Sequence, residues 1–285
     1  MKFQKGRLLI LPFLLTLFCS LTLAPISAYP EDQVLVFELT GTITSAHADA
    51  FDDSLRLAVT GNYTAIVIEL STPGGSVDAM LRIIGAIDNS PIPVLAFVTP
   101  SGASAWSAGT YILVASHAAA MAPNSIIGSC QPISYSPFGS VAINDSKTIN
   151  ALVEVMVTHA EARNRNQTLA ESFIVDNTNV NDGEALQYGI IEYRADTLDG
   201  FLDQADGTHV STTAGEITLH TSGAAIKTYE FRLRELLFNS FADPLISNLL
   251  FMIGVFALIY GFSAPGHGGE VLGAMAVLLA LVGMG

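Results

Sequence analysis

Between Val34 and Ser129 the chain alternates short apolar, β-branched runs with stretches of helical periodicity, joined without long linkers. Val34–Leu39, Ala65–Leu70 and Val94–Val98 read as buried strands. Between them, His47–Thr60 carries Phe51, Leu55 and Leu57 at helical spacing, and Ser76 can cap a helix holding Met80, Ile83, Ile84 and Ile87. Pro91 and Pro93 end that helix, and Ala118–Pro123 and Ser125–Ser129 add two more short strands. A β-α-β-α-β-α-β succession implies parallel strands with helices packed outside them. Ligands bind at strand ends in such folds. Two small-residue loops arrive at one edge of this sheet: Ser71-Thr72-Pro73-Gly74-Gly75 after the second strand, and Ser101-Gly102-Ala103-Ser104-Ala105-Trp106-Ser107-Ala108-Gly109 after the third.

Within the second loop Ser107 is the candidate nucleophile. Small neighbours leave its hydroxyl unshielded, and a serine opening a helix lies beside backbone N–H groups with no intrahelical partner. Taken alone, such a run more often means tight helix packing. A serine also needs a proton acceptor, and none of the six histidines stands at a spacing that demands a triad. Cys130 with His117 is a weaker alternative pair, because a buried cysteine is usually a small apolar residue. Lys147 follows a Pro/Ser/Gly-rich stretch, Gln131–Asn144, that reads as a surface loop able to bring it back to Ser107. It stands in the first turn of a helix predicted over Ser146–Ala162, where the dipole disfavours a cation. A lysine can act as base when burial lowers its proton affinity. Ser107 and Lys147 therefore form a plausible dyad.

The remaining segments set the compartment. Lys2, Lys5 and Arg7 precede an apolar run, Leu8–Ala24, and Ile26-Ser27-Ala28 offers a cleavage site, so residues 1–28 read as a signal peptide or signal anchor. Without those three basic residues the formal charge moves from −14 to −17, and such an acidic chain argues against nucleic acid as a partner. Only Cys130 lies outside the signal, so no internal disulfide can form there. Asn181–Ile191 reads as a capped helix closed by Gly189, Thr197–Gln204 as another helix, and Asp206–Tyr229 as a small β-hairpin. Phe231–Phe241 is amphipathic and suits a membrane surface. Leu245–Ala264 is long and apolar enough to span a bilayer, and Val271–Met284 begins a shorter second span. The expected layout is a domain over 29–240 and membrane segments over 241–285. The motifs call for no metal or cofactor.

The loops and their surroundings resemble the ClpP-class serine peptidases, most closely the membrane-bound NfeD-type branch. Ser71–Ser76, Gly102–Ile112, Ala120–Pro123, Ile127–Pro132 and Glu184–Ile191 carry the likeness. It implies a ClpP/crotonase-like α/β fold, a repeated β-β-α superhelix, with C-terminal transmembrane helices. It implies Ser107 as nucleophile, the Gly75 and Ala108 N–H groups as oxyanion donors, and Gly74 and Ser76 as substrate-binding positions. ClpP uses a histidine base in the segment that here reads Ile127–Pro132 and contains none; the membrane branch uses a lysine, which falls on Lys147. Trp106 stands where the family has a small residue. The implied substrate is a peptide or protein with an apolar segment. The implied partners are stomatin-like membrane proteins and further copies of the chain, a homodimer or larger, with the protease domain on the extracytoplasmic side. A catalytically inactive scaffold binding the same partners is the alternative, and a crotonase-type acyl-thioester enzyme is disfavoured by export away from coenzyme A. The family continues into further spans and a small OB-type barrel, which implies that these 285 residues are a truncated or split form.

Overall fold

The structure, a computed structural model, describes residues 32–136, 139–242, 244–263 and 268–283, so the expected signal over 1–28 lies outside the described residues. Its centre is a parallel sheet of β1 (Gln33–Thr40), β2 (Ala65–Ser71), β3 (Val94–Val98), β5 (Ala118–Met121), β10 (Tyr193–Arg194) and β13 (Ala225–Thr228), in the order β10-β5-β3-β2-β1-β13. The central strands β1, β2, β3 and β5 are largely apolar because both faces are covered, whereas the edge strands β10 and β13 are short and partly exposed. Leu35, Phe37, Leu39, Ile66, Ile68 and Leu70 join the larger core on one face, while Val34, Val67, Leu95 and Phe97 join Phe201 and Leu202 on the other. The helices follow the predicted pattern: α1 (Ser45–Thr60), capped by Thr44, and α2 (Val77–Asp88), capped by Ser76.

A second, smaller sheet turns each strand–helix unit into a strand–strand–helix unit. β4 (Ser104–Trp106), β6 (Ile126–Gly128) and β9 (Asn179–Asn181) form it in the order β4-β6-β9. Two isolated bridges extend the same ladder toward the start of the chain, Thr72 to Ala105 and Ile43 to Gly75. Four of the six main strands are thus followed by a short rung before the next helix: Ile43 after β1, the bridges at Thr72 and Gly75 after β2, β4 after β3 and β6 after β5. This is the repeated β-β-α arrangement that the resemblance implied. Ser125–Ser129, expected as one more strand in the succession, belongs to this second layer.

The later chain adds α3 (Ala108–Ala115), α4 (Ser146–Ala162), α5 (Gln167–Val175), α6 (Asp182–Gln187), α7 (Leu198–Ala205) and α8 (Leu233–Ala242). Three departures from the sequence reading have local causes. The loop expected over Gln131–Asn144 contains an antiparallel pair, β7 (Ile133–Ser136) with β8 (Gly139–Ala142), where alternating apolar residues are separated by Pro and Gly. Within the late polar segment β11 (His209–Thr212) and β12 (Gly215–Thr218) do form the hairpin, but β13 leaves it to pair with β1. Helix α5, capped by Asn166, was not foreseen in the polar stretch after Ala162.

Beyond the core, α9 (Pro244–Ser263) and α10 (Gly269–Gly283) pack side by side. They approach so closely that a Cβ on Gly273 would lie 2.6 Å from the Leu258 nitrogen. Small residues that let two backbones meet are how helices associate in lipid, where apolar side chains have no reason to prefer each other. By length and composition α9 can cross a membrane, with mean hydropathy 1.9 over Ile246–Ser263, and α10 is shorter. Leu249, Met252, Ile253, Phe256 and Ile259 point outward, as a lipid-facing surface requires.

Candidate active site

Ser107 sits between β4 and α3, with φ 50° and ψ −119°. A side-chain-bearing residue at positive φ is strained by about 1–3 kcal/mol and persists only where its surroundings over-determine it. Those surroundings are dense. The Ser107 N–H donates to Gly128 O at 2.9 Å, and its carbonyl accepts from Thr110 N at 2.9 Å. Thr110 is fully buried; its hydroxyl donates to Ala105 O (2.7 Å) and accepts from Gly128 N (2.9 Å), tying both sides of the turn together. All eight residues of α3 are buried. Its last carbonyls are capped by cations: Arg163 Nε donates to Ala115 O (3.0 Å), and Arg165 Nη1 donates to Leu113 O (2.8 Å) and Val114 O (2.7 Å). Arg165 is held in turn by a two-pronged pair with Glu192, at 2.8 and 2.6 Å. Positive charge at the C-terminal end complements the helix dipole.

The first small-residue loop lies against this turn. Thr72 N donates to Ser104 O (2.7 Å), and Trp106 N donates to Thr72 O (3.0 Å), so the loop runs as a rung beside β4. A Cβ on Gly74, whose φ is +102°, would stand 2.7 Å from Ser107 Cβ and 3.2 Å from its Oγ. A Cβ on Gly75 would stand 2.2 Å from the Ile43 carbonyl oxygen. Both glycines are therefore fixed by contact, the first with the serine and the second with the neighbouring rung. Among the described residues neither the Gly75 nor the Ala108 N–H donates a hydrogen bond. Ser107 is half-buried, Gly75 and Ser76 are exposed, and Gly74 and Ala108 are buried. Ser107, Gly74, Gly75 and Ala108 are thus one cluster. Ser76, predicted as a substrate contact, uses its hydroxyl to accept from Ala79 N (3.3 Å) and cap α2.

Lys147 is exposed and stands in the first turn of α4. The dipole objection to a lysine there is answered by Asp145, whose carboxylate caps the helix by accepting from Thr148 N at 2.9 Å. That bond holds the Asp145 carboxyl below its usual range. Helices α3 and α4 touch at Tyr111, whose hydroxyl donates to Leu152 O (3.4 Å), and again where Arg163 caps Ala115. The two contacts follow the same order along both helices, so their N-terminal ends lie toward the same side. Ser107 is four residues before Tyr111 and Lys147 five before Leu152, roughly 6–8 Å along each axis.

The rival nucleophile is removed by its environment. The Cys130 thiol is buried and pushed up to about 12 by desolvation, and it is spent on the carbonyls of Gly128 (3.5 Å) and Ser107 (3.7 Å). His117 lies at the opposite edge of the sheet, where its Nδ1 accepts from Val94 N (3.1 Å); burial lowers it to about 4. His159 pairs with Asp88 (2.9 Å) at the end of α2, far along the same edge. Among the described residues no cluster of His, Cys, Asp or Glu could hold a metal ion. Sequence reasoning missed Thr110, Arg163 and Arg165. Arg163 and Arg165, two residues apart in a chain so poor in basic residues, were the available signal.

Fold and site together define a ClpP-like α/β domain that presents a strained serine beside unoccupied backbone donors. The chain belongs to the family described as NfeD1b, N-terminal domain, whose sequence model matches residues 33–219. It is 39% identical over 259 residues to the membrane-bound protease PH1510 of Pyrococcus horikoshii, covering 90% of this chain and 59% of that one. The chain thus spans about three-fifths of the curated relative's length. Among solved structures it is similar to the 1510-N membrane-bound stomatin-specific protease. In the lysine-to-alanine variant complexed with a substrate peptide, identity is 37%, TM-score 0.69, and coverage 73% of this chain and 97% of that one. For the serine-to-alanine variant of the same protease the values are 37%, 0.68, 72% and 100%.

Proposed function

We propose that this chain is a membrane-tethered serine endopeptidase with a Ser107–Lys147 dyad. One observation carries the reading: a half-buried serine is held at positive φ on the N-terminus of a buried helix, against a Gly74–Gly75 loop, with the N–H groups of Gly75 and Ala108 free. Ser107 Oγ attacks the scissile carbonyl, and Lys147 Nζ accepts its proton. The carbonyl oxygen takes up the negative charge between the Gly75 and Ala108 N–H groups. The ammonium of Lys147 then protonates the leaving amine, and a water activated by the same lysine releases the acyl group from Ser107. Lys147 is exposed in the free protein. Bound peptide supplies the cover that an amine base needs.

Gly74 and Ser76 border the strand-like loop along which a peptide backbone would lie. Val77 and Leu81 on α2 and Trp106 on β4 are exposed apolar side chains on the elements next to that loop, which supports an apolar segment as substrate. The relative's described specificity for stomatin, and its substrate complex in a lysine-to-alanine variant, support a stomatin-like partner and a lysine in the chemistry. Export of residues 29–240, anchoring by residues 241–285 in a multi-pass or tail-anchored topology, and assembly as a homodimer or larger belong to the same reading.

The test is cleavage of a library of apolar peptides by the full chain in lipid nanodiscs, beside Ser107→Ala and Lys147→Ala. Cleavage lost in both variants supports the dyad. Undiminished cleavage in either removes that residue's role, and peptide binding without cleavage by any form supports an inactive scaffold.

A further inference from the structure

The rung that holds the oxyanion loop is followed directly by a residue bonded to α8, the helix that precedes the apolar α9. Gly75 has no side chain to anchor it, and none could fit beside Ile43. Its position is set by backbone bonds on either side: Ile43 N donates to Gly74 O (2.8 Å), and Ser76 N donates to Ile43 O (2.9 Å). Ile43 is in turn fixed by the next residue, Thr44, which is buried and caps α1. The Thr44 hydroxyl donates to Asn239 Oδ1 at 2.6 Å, and the Asn239 amide nitrogen lies 3.3 Å from His47 Nε2. His47 closes the ring, its Nδ1 accepting from Thr44 N at 3.3 Å.

Asn239 belongs to α8, the helix that leads into the apolar α9. Elsewhere the α8 region is seated on α1 and β1 by an ion pair from Arg232 to Asp53 (2.9 Å) and by Phe231 packed against Phe37 and His47. The Asn239–Thr44 bond is the most direct link from α8 to the Gly75 rung. A catalytic donor displaced by about 1 Å can lose about 100-fold in rate.

We propose that Asn239 and Thr44 are positioning residues through which the membrane-proximal helix holds the Gly74–Ser76 loop in register with Ser107. The proposal rests on the reading of the Gly75 N–H as an oxyanion donor. Membrane attachment and catalytic competence are thereby linked by one hydrogen-bonded path: α8, Asn239, Thr44, Ile43, Gly75. When α9 is seated, α8 is seated, and the donor faces the serine.

The experiment uses the full chain in lipid nanodiscs with a fluorogenic apolar peptide, and two readouts. One is kcat and KM; the other is amide hydrogen exchange over Gly74–Ser76, which needs no activity. Asn239→Leu and Thr44→Val should each lower kcat about tenfold with KM within about twofold, and speed exchange at Ser76 about tenfold. Thr44→Ser should restore both. Arg232→Gln, which loosens α8 away from this path, should leave kcat and Ser76 exchange unchanged. Thr44→Val exchanges the hydroxyl for a methyl at similar volume and costs the α1 cap, so it keeps the test open should Asn239→Leu fail to fold. Unchanged Ser76 exchange in Asn239→Leu and Thr44→Val overturns the coupling, as does faster exchange with unchanged kcat. Faster exchange in a protein that cleaves no peptide upholds the coupling and overturns the peptidase reading instead.

Discussion

The nucleophile corner and the base arm of this molecule are built to opposite standards. Around Ser107 the hydroxyl of Thr110, the rung at Thr72, the contact with Gly74 and the two arginine caps leave the backbone one conformation. The candidate base, Lys147, stands in the first exposed turn of a helix reached through the β7–β8 hairpin, and its ammonium forms no ion pair among the described residues. The contrast is one of roles. An oxyanion site works by being preorganised before charge develops, whereas a base can be brought into place by the substrate.

The largest effect that would test this contrast is at the serine. Ser107→Ala should cost at least about 10⁴-fold in kcat, with a thermal midpoint close to the parent, because the backbone bonds that hold the turn remain. Steady-state cleavage with parallel calorimetry reads both. Residual activity above one part in a hundred would place the nucleophile elsewhere.

At the arm, Lys147→Ala should lower kcat about 10²–10⁴-fold and leave stability within about 0.5 kcal/mol, the range for an exposed side chain. The decisive comparison is with Arg165→Met. That variant strips a buried cap from α3 and leaves Glu192 without its partner, so it should lose both activity and several kcal/mol of stability. If Lys147→Ala destabilises as much as Arg165→Met, the arm is a structural element and the contrast fails.

Acid should act on the scaffold outside both regions, and on stability alone. His47 and His117 are both lowered to about 4 by burial, against an ordinary value of 6.5. The unfolded chain therefore takes up protons first as pH falls, so stability present above about 6.5 is lost progressively down to about 4. Each histidine contributes about 3 kcal/mol to that loss. His159, raised by Asp88, acts in the opposite sense: its contribution is present below its ordinary value and fades as pH rises through the raised one. Urea midpoints from pH 7 to 4 should fall, and His117→Asn should flatten the slope. A parallel fall in that variant would show that His117 is not what acid attacks.

β1, β2, β3 and β5 of the main sheet were legible because they are largely apolar runs, and α1, α2 and α4 because of their periodicity, while the edge strand β13 was read into the late hairpin. The corner was legible in outline, since the two small-residue loops had to meet at the strand ends. What stayed hidden was the second layer. Its rungs are three residues or fewer, too short to show alternation, and Ile43 and Thr72 join it through single bridges. Short pieces of backbone become strands here only because a neighbour supplies the bonds. The hairpin in the arm was hidden for a different reason: Pro132, Pro137, Gly139 and three serines make Gln131–Asn144 read as a loop, and the pairing is local, between neighbouring segments.

The smallest effect is the one most specific to preorganisation. At φ 50° and ψ −119° the corner asks Ser107 for a backbone that only glycine adopts without strain. Ser107→Ala keeps that strain and Ser107→Gly releases it, while both abolish the hydroxyl. Relief of about 1–3 kcal/mol is partly offset by the about 0.5–1 kcal/mol that glycine's freedom costs on folding. The glycine variant should therefore be about 1 kcal/mol more stable than the alanine variant. In a domain of this size that is a rise of about 2–4 °C in midpoint. At an unstrained position the order would reverse, with alanine the more stable. Finding that reversal would mean the corner stores nothing, and that the serine is held by packing rather than by a backbone forced into place.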